Sequence, residues 1–240
     1  MHKIVKVVCG GLLGLMLVAS AQAASGGVGF SRNRLIFPAG ERAISLTVTN
    51  RGTDPQKDVF LVQAGVSRDP SQQQKAPFMV TPPLFRLEAN SQNEMRIIPV
   101  GAHLPTDRES VFYFSATVIP STPDRDKPGI SQVTFATRTI LKLFWRPGTL
   151  KMAPQDSPVM MRFVRENGDL VVKNPTPYYQ SFSSLEIDGQ EQDLNKGPSM
   201  VAPFSELRFP GHGAARQVSW QVMNDYGGAT VKKVQSVTAG

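Results

Sequence analysis

The sequence predicts an all-β protein made of two antiparallel sandwiches in series. Three observations carry that prediction: apolar residues recur at every second position, clusters of Pro, Gly, Asn and Asp break the chain at short intervals, and no stretch has a helical period. Composition allows it. The 240 residues are 40% hydrophobic and 19% charged, with 19 Pro and 20 Gly, which is enough apolar material for one large domain or two smaller ones and too little Pro and Gly for a low-complexity chain. Collagen, coiled coil and polytopic membrane architectures are excluded. Cys9 is the only cysteine and His2, His103 and His212 the only histidines, so a disulfide framework, a Cys-rich zinc site and an iron–sulfur cluster are excluded as well.

The first segment reads as a signal peptide, residues 1–23. Lys3 and Lys6 precede an apolar run over 7–19 that is shorter than the roughly 20 residues needed to cross a bilayer. Ser20-Ala21-Gln22-Ala23-Ala24 follows, and its small residues fit an A-x-A site cleaved after Ala23. Cys9 sits at the start of the run, which argues against a lipoprotein. Losing Lys3 and Lys6 takes the formal charge from +7 to +5 on 217 residues. The remaining cations are scattered, unlike the one-sided patch of a nucleic-acid binder. An exported chain without mature cysteine must hold itself together by packing alone.

Residues 43–49 (Ala43-Ile44-Ser45-Leu46-Thr47-Val48-Thr49) alternate strictly, and Asn50-Arg51-Gly52 supplies a turn. Strands are expected over 59–66, in two pieces over 86–100, and over 111–119. They are separated by Asp54-Pro55, Asp69-Pro70, Thr81-Pro82-Pro83 and Leu104-Pro105. Residues 131–146 then run without a breaker, far beyond the usual strand of about 5–6 residues. Their first half alternates, with Val133, Phe135 and Thr137 on one face, and the second half is apolar on both. Such a strand is either an ordinary central strand or an apolar edge that needs another chain to pair with it.

The pair Pro147-Gly148 marks the linker between a first domain, 24–146, and a second, 149–240. In the second, 159–165 and 169–173 flank Glu166-Asn167-Gly168, and Asn-Gly between apolar runs signals a tight hairpin. Asn174-Pro175-Thr176-Pro177 ends that hairpin, and strands over 180–187, 205–209 and 215–223 complete the unit.

Hydrolytic chemistry has no footing here. His103 and His212 lie in loop-like settings in different domains, and no Gly-x-Ser-x-Gly, His-Glu-x-x-His or Walker pattern accompanies them. The carboxylate pairs Asp124/Asp126 and Glu186/Asp188 sit beside basic residues or turns and read as solvated loops. No catalytic residue and no metal or other cofactor is expected.

Five segments, in order along the mature chain, resemble the signature segments of the periplasmic pilus assembly chaperones. They are Thr81-Pro82-Pro83-Leu84-Phe85-Arg86-Leu87, residues 104–114 (Leu104-Pro105-Thr106-Asp107-Arg108-Glu109 and onward), Lys142-Leu143-Phe144-Trp145-Arg146-Pro147, Asn174-Pro175-Thr176-Pro177-Tyr178-Tyr179 and Asn224-Asp225-Tyr226-Gly227-Gly228. The resemblance implies two immunoglobulin-like β-sandwich domains arranged as a boomerang with an interdomain cleft. It also implies a role: a chaperone that binds fimbrial subunits one to one, lends each an edge strand, prevents premature polymerisation and delivers it to an outer-membrane usher. The donor positions would be Val133, Phe135 and Thr137, where Thr137 departs from the larger aliphatic usual in the family. Arg34 and Lys142 would hold the subunit's C-terminal carboxylate, with Arg32 competing because period two places it on the same strand face as Arg34. Glu109, Arg146 and Asp225 would form an interdomain network. The short 121–129 stretch and the absence of mature cysteine resemble the short-loop branch of the family. An exposed donor edge implies weak self-association of the unloaded protein. The alternative from another class is a structural two-domain fimbrial or surface adhesin module, and a periplasmic enzyme dependent on His103 or His212 is the third.

Overall fold

A computed structural model describes residues 27–101, 103–121 and 134–240. The expected signal peptide, the Asp124/Asp126 pair and Val133 lie outside them. Two β-sandwiches follow one another along the chain, each with its own apolar core.

The first contains Val28–Phe30 (β1), Arg34–Pro38 (β2), Ile44–Asn50 (β3), Phe60–Ser67 (β4), Phe78–Thr81 (β5), Leu84–Leu87 (β6), Ser91–Pro99 (β7), Ser110–Pro120 (β8) and Thr137–Arg146 (β9). One sheet has the order β1-β3-β7-β5 and the other β2-β9-β8-β4-β6. Alternation explains the layering. Leu46 and Val48 of β3 and Met95 and Ile97 of β7 point inward and meet Phe112 and Phe114 of β8 and Leu141 and Leu143 of β9, all in one buried cluster. Between β1 and β2 the chain changes sheets: β1 pairs antiparallel with β3, whereas β2 runs parallel to β9 from Arg34↔Lys142 to Pro38↔Arg146.

The 131–146 strand is shorter than its sequence suggests. β9 begins at Thr137, paired with Val118, and residues 134–136 are not in a strand. Continuing the ladder would set Phe135 opposite Pro120, which has no N–H to donate. Local alternation reports which residues could extend, while the ladder ends where its partner can no longer bond.

The second sandwich contains Arg162–Glu166 (β10), Asp169–Asn174 (β11), Gln180–Ile187 (β12), Gln190–Glu191 (β13), Met200–Val201 (β14), Ser205–Phe209 (β15), Gln217–Val222 (β16), Lys233–Ser236 (β17) and Thr238–Ala239 (β18). Its sheets have the orders β15-β11-β10-β18 and β13-β12-β16-β17, with β14 also on β12. The Asn-Gly hairpin forms as its residues require, with φ of 52° at Asn167 and 84° at Gly168 and Glu166 opposite Asp169. The strand expected from 159 starts at Arg162, because Pro158–Met160 form a 3₁₀ turn.

Gly52 is held by geometry rather than by φ. Asn50 donates through Nδ2 to the carbonyls of Asp58 at 2.7 Å and Glu88 at 2.8 Å, and its Oδ1 accepts from the Gly52 N–H at 2.9 Å. This draws the turn so close that a Cβ on Gly52 would lie 2.4 Å from the Asp58 Cβ. Gly52→Ala is expected to cost about 1–3 kcal/mol through overpacking. Chemical denaturation checks it, and an unchanged midpoint would show that the turn yields freely.

Candidate functional site

The parallel pairing of β2 with β9 makes Arg34 and Lys142 direct neighbours. Arg34 is only 5% exposed. Its Nη1 donates to Ser181 Oγ at 3.2 Å, and its guanidinium lies 4.0 Å from the centre of the Phe144 ring. Its Nε is buried and has no hydrogen-bond partner among the described residues. Burial lowers the Arg34 pKa from its ordinary value, while the charges of Glu109 and Asp225 oppose that shift. Lys142 is half-buried and makes no side-chain hydrogen bond among the described residues; burial first, and then the neighbouring Arg34 charge, push it below its usual 10.5. Two cations share a partly dry corner without an anion between them.

Arg32 does not share that corner. It is exposed and precedes β2, within the segment where the chain changes sheets. The period-two argument that set Arg32 beside Arg34 fails because the strand begins at Arg34.

Glu109, Arg146 and Asp225 meet across the two sandwiches. Arg146 ends β9 and grips Asp225 with both terminal nitrogens, Nη1 to Oδ2 at 2.6 Å and Nη2 to Oδ1 at 2.7 Å. Its Nε donates to Glu109 Oε1 at 2.8 Å. The other Glu109 oxygen accepts from the Tyr179 N–H at 2.9 Å, and the Glu109 N–H donates to the Pro177 carbonyl at 2.9 Å. Burial pushes the Glu109 carboxyl up, against the pull of Arg146. Burial would also depress Arg146, but its hydrogen bonds to Asp225 and the Glu109 charge outweigh that and raise it.

The Asn-Pro-Thr-Pro-Tyr-Tyr segment supplies these contacts through a fixed turn. Asn174 is buried, donates to the carbonyls of Tyr178 at 2.7 Å and Ala202 at 2.9 Å, and accepts from both the N–H and the hydroxyl of Thr176. Pro177 and Tyr179 therefore reach Glu109 without a search through conformations. A cleft of about 590 Å³ opens here, lined among others by Arg34, Glu109, Arg146, Tyr178 and Asp225.

β9 also carries an open edge. Along residues 142–145 it lies between β2 and β8, but along 137–141 only β8 pairs with it among the described residues. Its inward face runs out as well: Leu143 and Leu141 are buried, Thr139 is partly exposed and Thr137 is exposed. Beyond the strand Phe135 is 78% exposed.

The other candidates have structural surroundings. Glu186 bonds Lys232 and Ser219, and Asp188 accepts from the Arg216 and Gln217 N–H groups. His103 is exposed and His212 partly so. Among the described residues no group of three His, Cys, Asp or Glu could hold a metal ion. Sequence reasoning missed Ser181 and Asn33. Neither has a local signal, because each acts only on a segment distant in sequence.

Two family models cover most of the chain: the pili and flagellar-assembly chaperone PapD N-terminal domain matches residues 27–151, and the pili assembly chaperone PapD C-terminal domain matches 156–234. The chain is 36% identical to the probable fimbrial chaperone protein ElfD of Escherichia coli O157:H7 over 210 residues, covering 87% of this chain and 86% of that one. It is 35% identical to the chaperone protein FimB/FhaD of Bordetella pertussis over 224 residues, covering 90% of each. Among solved structures, a chain of the Salmonella enterica SafA pilin complex with the SafB chaperone superposes with a TM-score of 0.75 at 32% identity, over 88% of this chain and 96% of that one. The E. coli chaperone DraB gives 0.74 at 31%, over 88% and 98%.

Arg146→Ala is expected to cost roughly 3 kcal/mol, since it strands two carboxylates of which one is buried. Without its counter-charge Glu109 should titrate higher still. A raised carboxyl contributes stability that is complete below its unfolded pKa and lost as pH rises through the folded one. The deficit of the variant should therefore shrink toward pH 4.5, the ordinary value for Glu109, and grow toward neutrality. Thermal midpoints of both proteins across that range test this, and a pH-independent gap would show that Glu109 is not answering to Arg146.

Proposed function

The chain belongs to the pili-assembly chaperones, a non-enzymatic family, and on that premise we propose that it holds fimbrial subunits in the periplasm. Each subunit would be bound one to one, completed by the edge of β9, kept from polymerising and delivered to an outer-membrane usher. The observation that carries this reading is β9 itself, whose first half offers an open edge and whose second half passes the Arg34 and Lys142 cations. An incoming strand can bond to that edge through its main chain while the side chains of Phe135, Thr137 and Val133 enter the subunit's groove, which is strand addition with affinity from backbone and specificity from alternate side chains.

The anchor sets the register. A terminal carboxylate beside β9 can accept from the Arg34 guanidinium and from the Lys142 ammonium, forming charge-assisted hydrogen bonds in a partly dry corner. Desolvation of the cations has been met in folding, so the ligand meets a prepared site. Release needs no nucleotide, because a neighbouring subunit's better-fitting strand can replace that of the chaperone. Thr137 gives the third position of the donor face a small, polar contact where a larger aliphatic would fill more space.

Charge removal should separate binding from folding. With a subunit that copurifies with the wild-type chain as probe, Arg34→Ala and Lys142→Ala are expected to weaken the complex by about 2–5 kcal/mol, because one partner of a desolvated charge pair is lost. Undiminished recovery of the subunit by a folded Lys142→Ala protein would sink the assignment. Along the donor face, Phe135→Ala should weaken binding by about 2–4 kcal/mol. Thr137→Leu should strengthen it by roughly 0.8 kcal/mol for each methylene that finds apolar room. Sensitivity at Thr134 and Ala136 with none at Phe135 would put the opposite face against the subunit.

A further inference from the structure

The turn at 224–228 touches the first sandwich twice. Through Asp225 it grips Arg146, the last residue of β9. Through the Gly227 carbonyl it accepts a hydrogen bond from Asn33 Nδ2 at 3.2 Å, at the residue just before β2. These two strands carry the two cations of the carboxylate anchor, with Arg34 next to Asn33 and Lys142 four residues upstream of Arg146 on the same strand.

We propose that the 224–228 turn is a two-point clamp that holds the ladder-paired Arg34 and Lys142 in place against the second sandwich, with Asn33 and Gly227 as positioning residues. The inference rests on the reading of those cations as the carboxylate anchor. Three observations carry it. The turn is rigid by its own bonding: Asn224 Oδ1 accepts from the Tyr226 and Gly228 N–H groups at 3.0 Å each, and the Asn224 N–H donates to the Gly228 carbonyl at 2.8 Å. It is pressed against Asn33 so closely that a Cβ at Gly227 would fall 1.6 Å from Asn33 Oδ1, and Gly227 has a φ of +82°, where a side chain is strained in any case. It meets the chain at the change of sheets, where residues 31–33 belong to no strand and the β2 ladder begins only at Arg34↔Lys142. Arg34 needs such a fixed start because it otherwise has one hydrogen bond, to Ser181.

A rigid piece that touches both strands ties their spacing to the second sandwich. Asp225 alone would reach β9 only, while Ser31 ties the entry to β2 to Thr47 of its own sandwich and not to the second. The Asn33 contact closes the triangle.

The test uses the full mature chain with lysine side chains isotopically labelled, following the Lys142 titration by NMR. Asn33→Ala removes the bond, Gly227→Ala forces the side chain aside, and the double variant relieves the clash. In the wild type Lys142 titrates below 10.5 because of burial and the adjacent Arg34 charge. Asn33→Ala should move it toward that value as Arg34 draws away, with the thermal midpoint little changed, and should weaken binding of the copurifying subunit by about three- to tenfold, the size of one lost neutral hydrogen bond. Gly227→Ala should do more, and adding Asn33→Ala to it should cost less than the two changes apart, since they act on one contact. If neither variant moves the Lys142 titration or the affinity, the clamp is overturned. The carboxylate reading has its own arm: a peptide ending in a free carboxylate is compared with its amidated twin for shifts at Lys142. Equal shifts from both peptides, with Lys142 still answering to Asn33→Ala, would uphold the clamp and overturn the anchor.

Discussion

Arg146 is the residue on which the geometry of the cleft turns. It closes β9, lies parallel-paired with Pro38, and spends three nitrogens on two carboxylates from opposite sandwiches. A guanidinium suits this place because its flat fork meets Asp225 in two parallel bonds and still leaves Nε for Glu109, which a lysine could not do. Taking three charges out of water is costly, and their attraction offsets that cost only when geometry is good and remaining lone pairs are occupied. Here they are: the second Glu109 oxygen is taken by the Tyr179 N–H and the Arg146 guanidinium lies over the Tyr178 ring. Such a network stabilises little against an apolar alternative but tolerates few other arrangements, so it specifies how the two sandwiches meet.

Arg34 is the opposite case, a charged group incompletely satisfied among the described residues. A buried guanidinium nitrogen without an acceptor weakens the fold by itself. The fold tolerates it because the Phe144 ring, Ser181 and the fields of Glu109 and Asp225 reduce the cost. The carboxylates of the network therefore have a second effect, offsetting part of the cost of burying that cation against the repulsion of Arg146.

β9 joins these two roles to a third. An open sheet edge invites pairing by any extended chain, and most proteins hide or shorten it. Here the edge is short, bounded by β2 at one end and by the loss of ladder partners at the other, and it carries Thr137, Arg138 and Thr139, polar residues that discourage indiscriminate pairing. Apolar exposure falls on Ile140 within the strand and, more fully, on Phe135 beyond it.

The sequence by itself determined what depends on neighbours along the chain. Strict alternation at 43–49 decided strand and face, Asn167-Gly168 decided a hairpin, and family likeness pointed to Arg34 on the first strand and, within the signature segments, to Lys142, Glu109, Arg146 and Asp225. The tertiary structure decided burial, termination and cross-domain contact. Arg32 and Arg34 are equal by periodicity, yet one is exposed and the other buried, since Arg34 lies where the second sandwich brings Ser181, 147 positions away. The start of β9 depended on Pro120 in another strand, and Asn33 gains a role only from Gly227, 194 positions away. Side-chain periodicity is a property of a single strand, whereas desolvation and hydrogen-bond closure are properties of whatever packs against it, and that is written only in the folded chain.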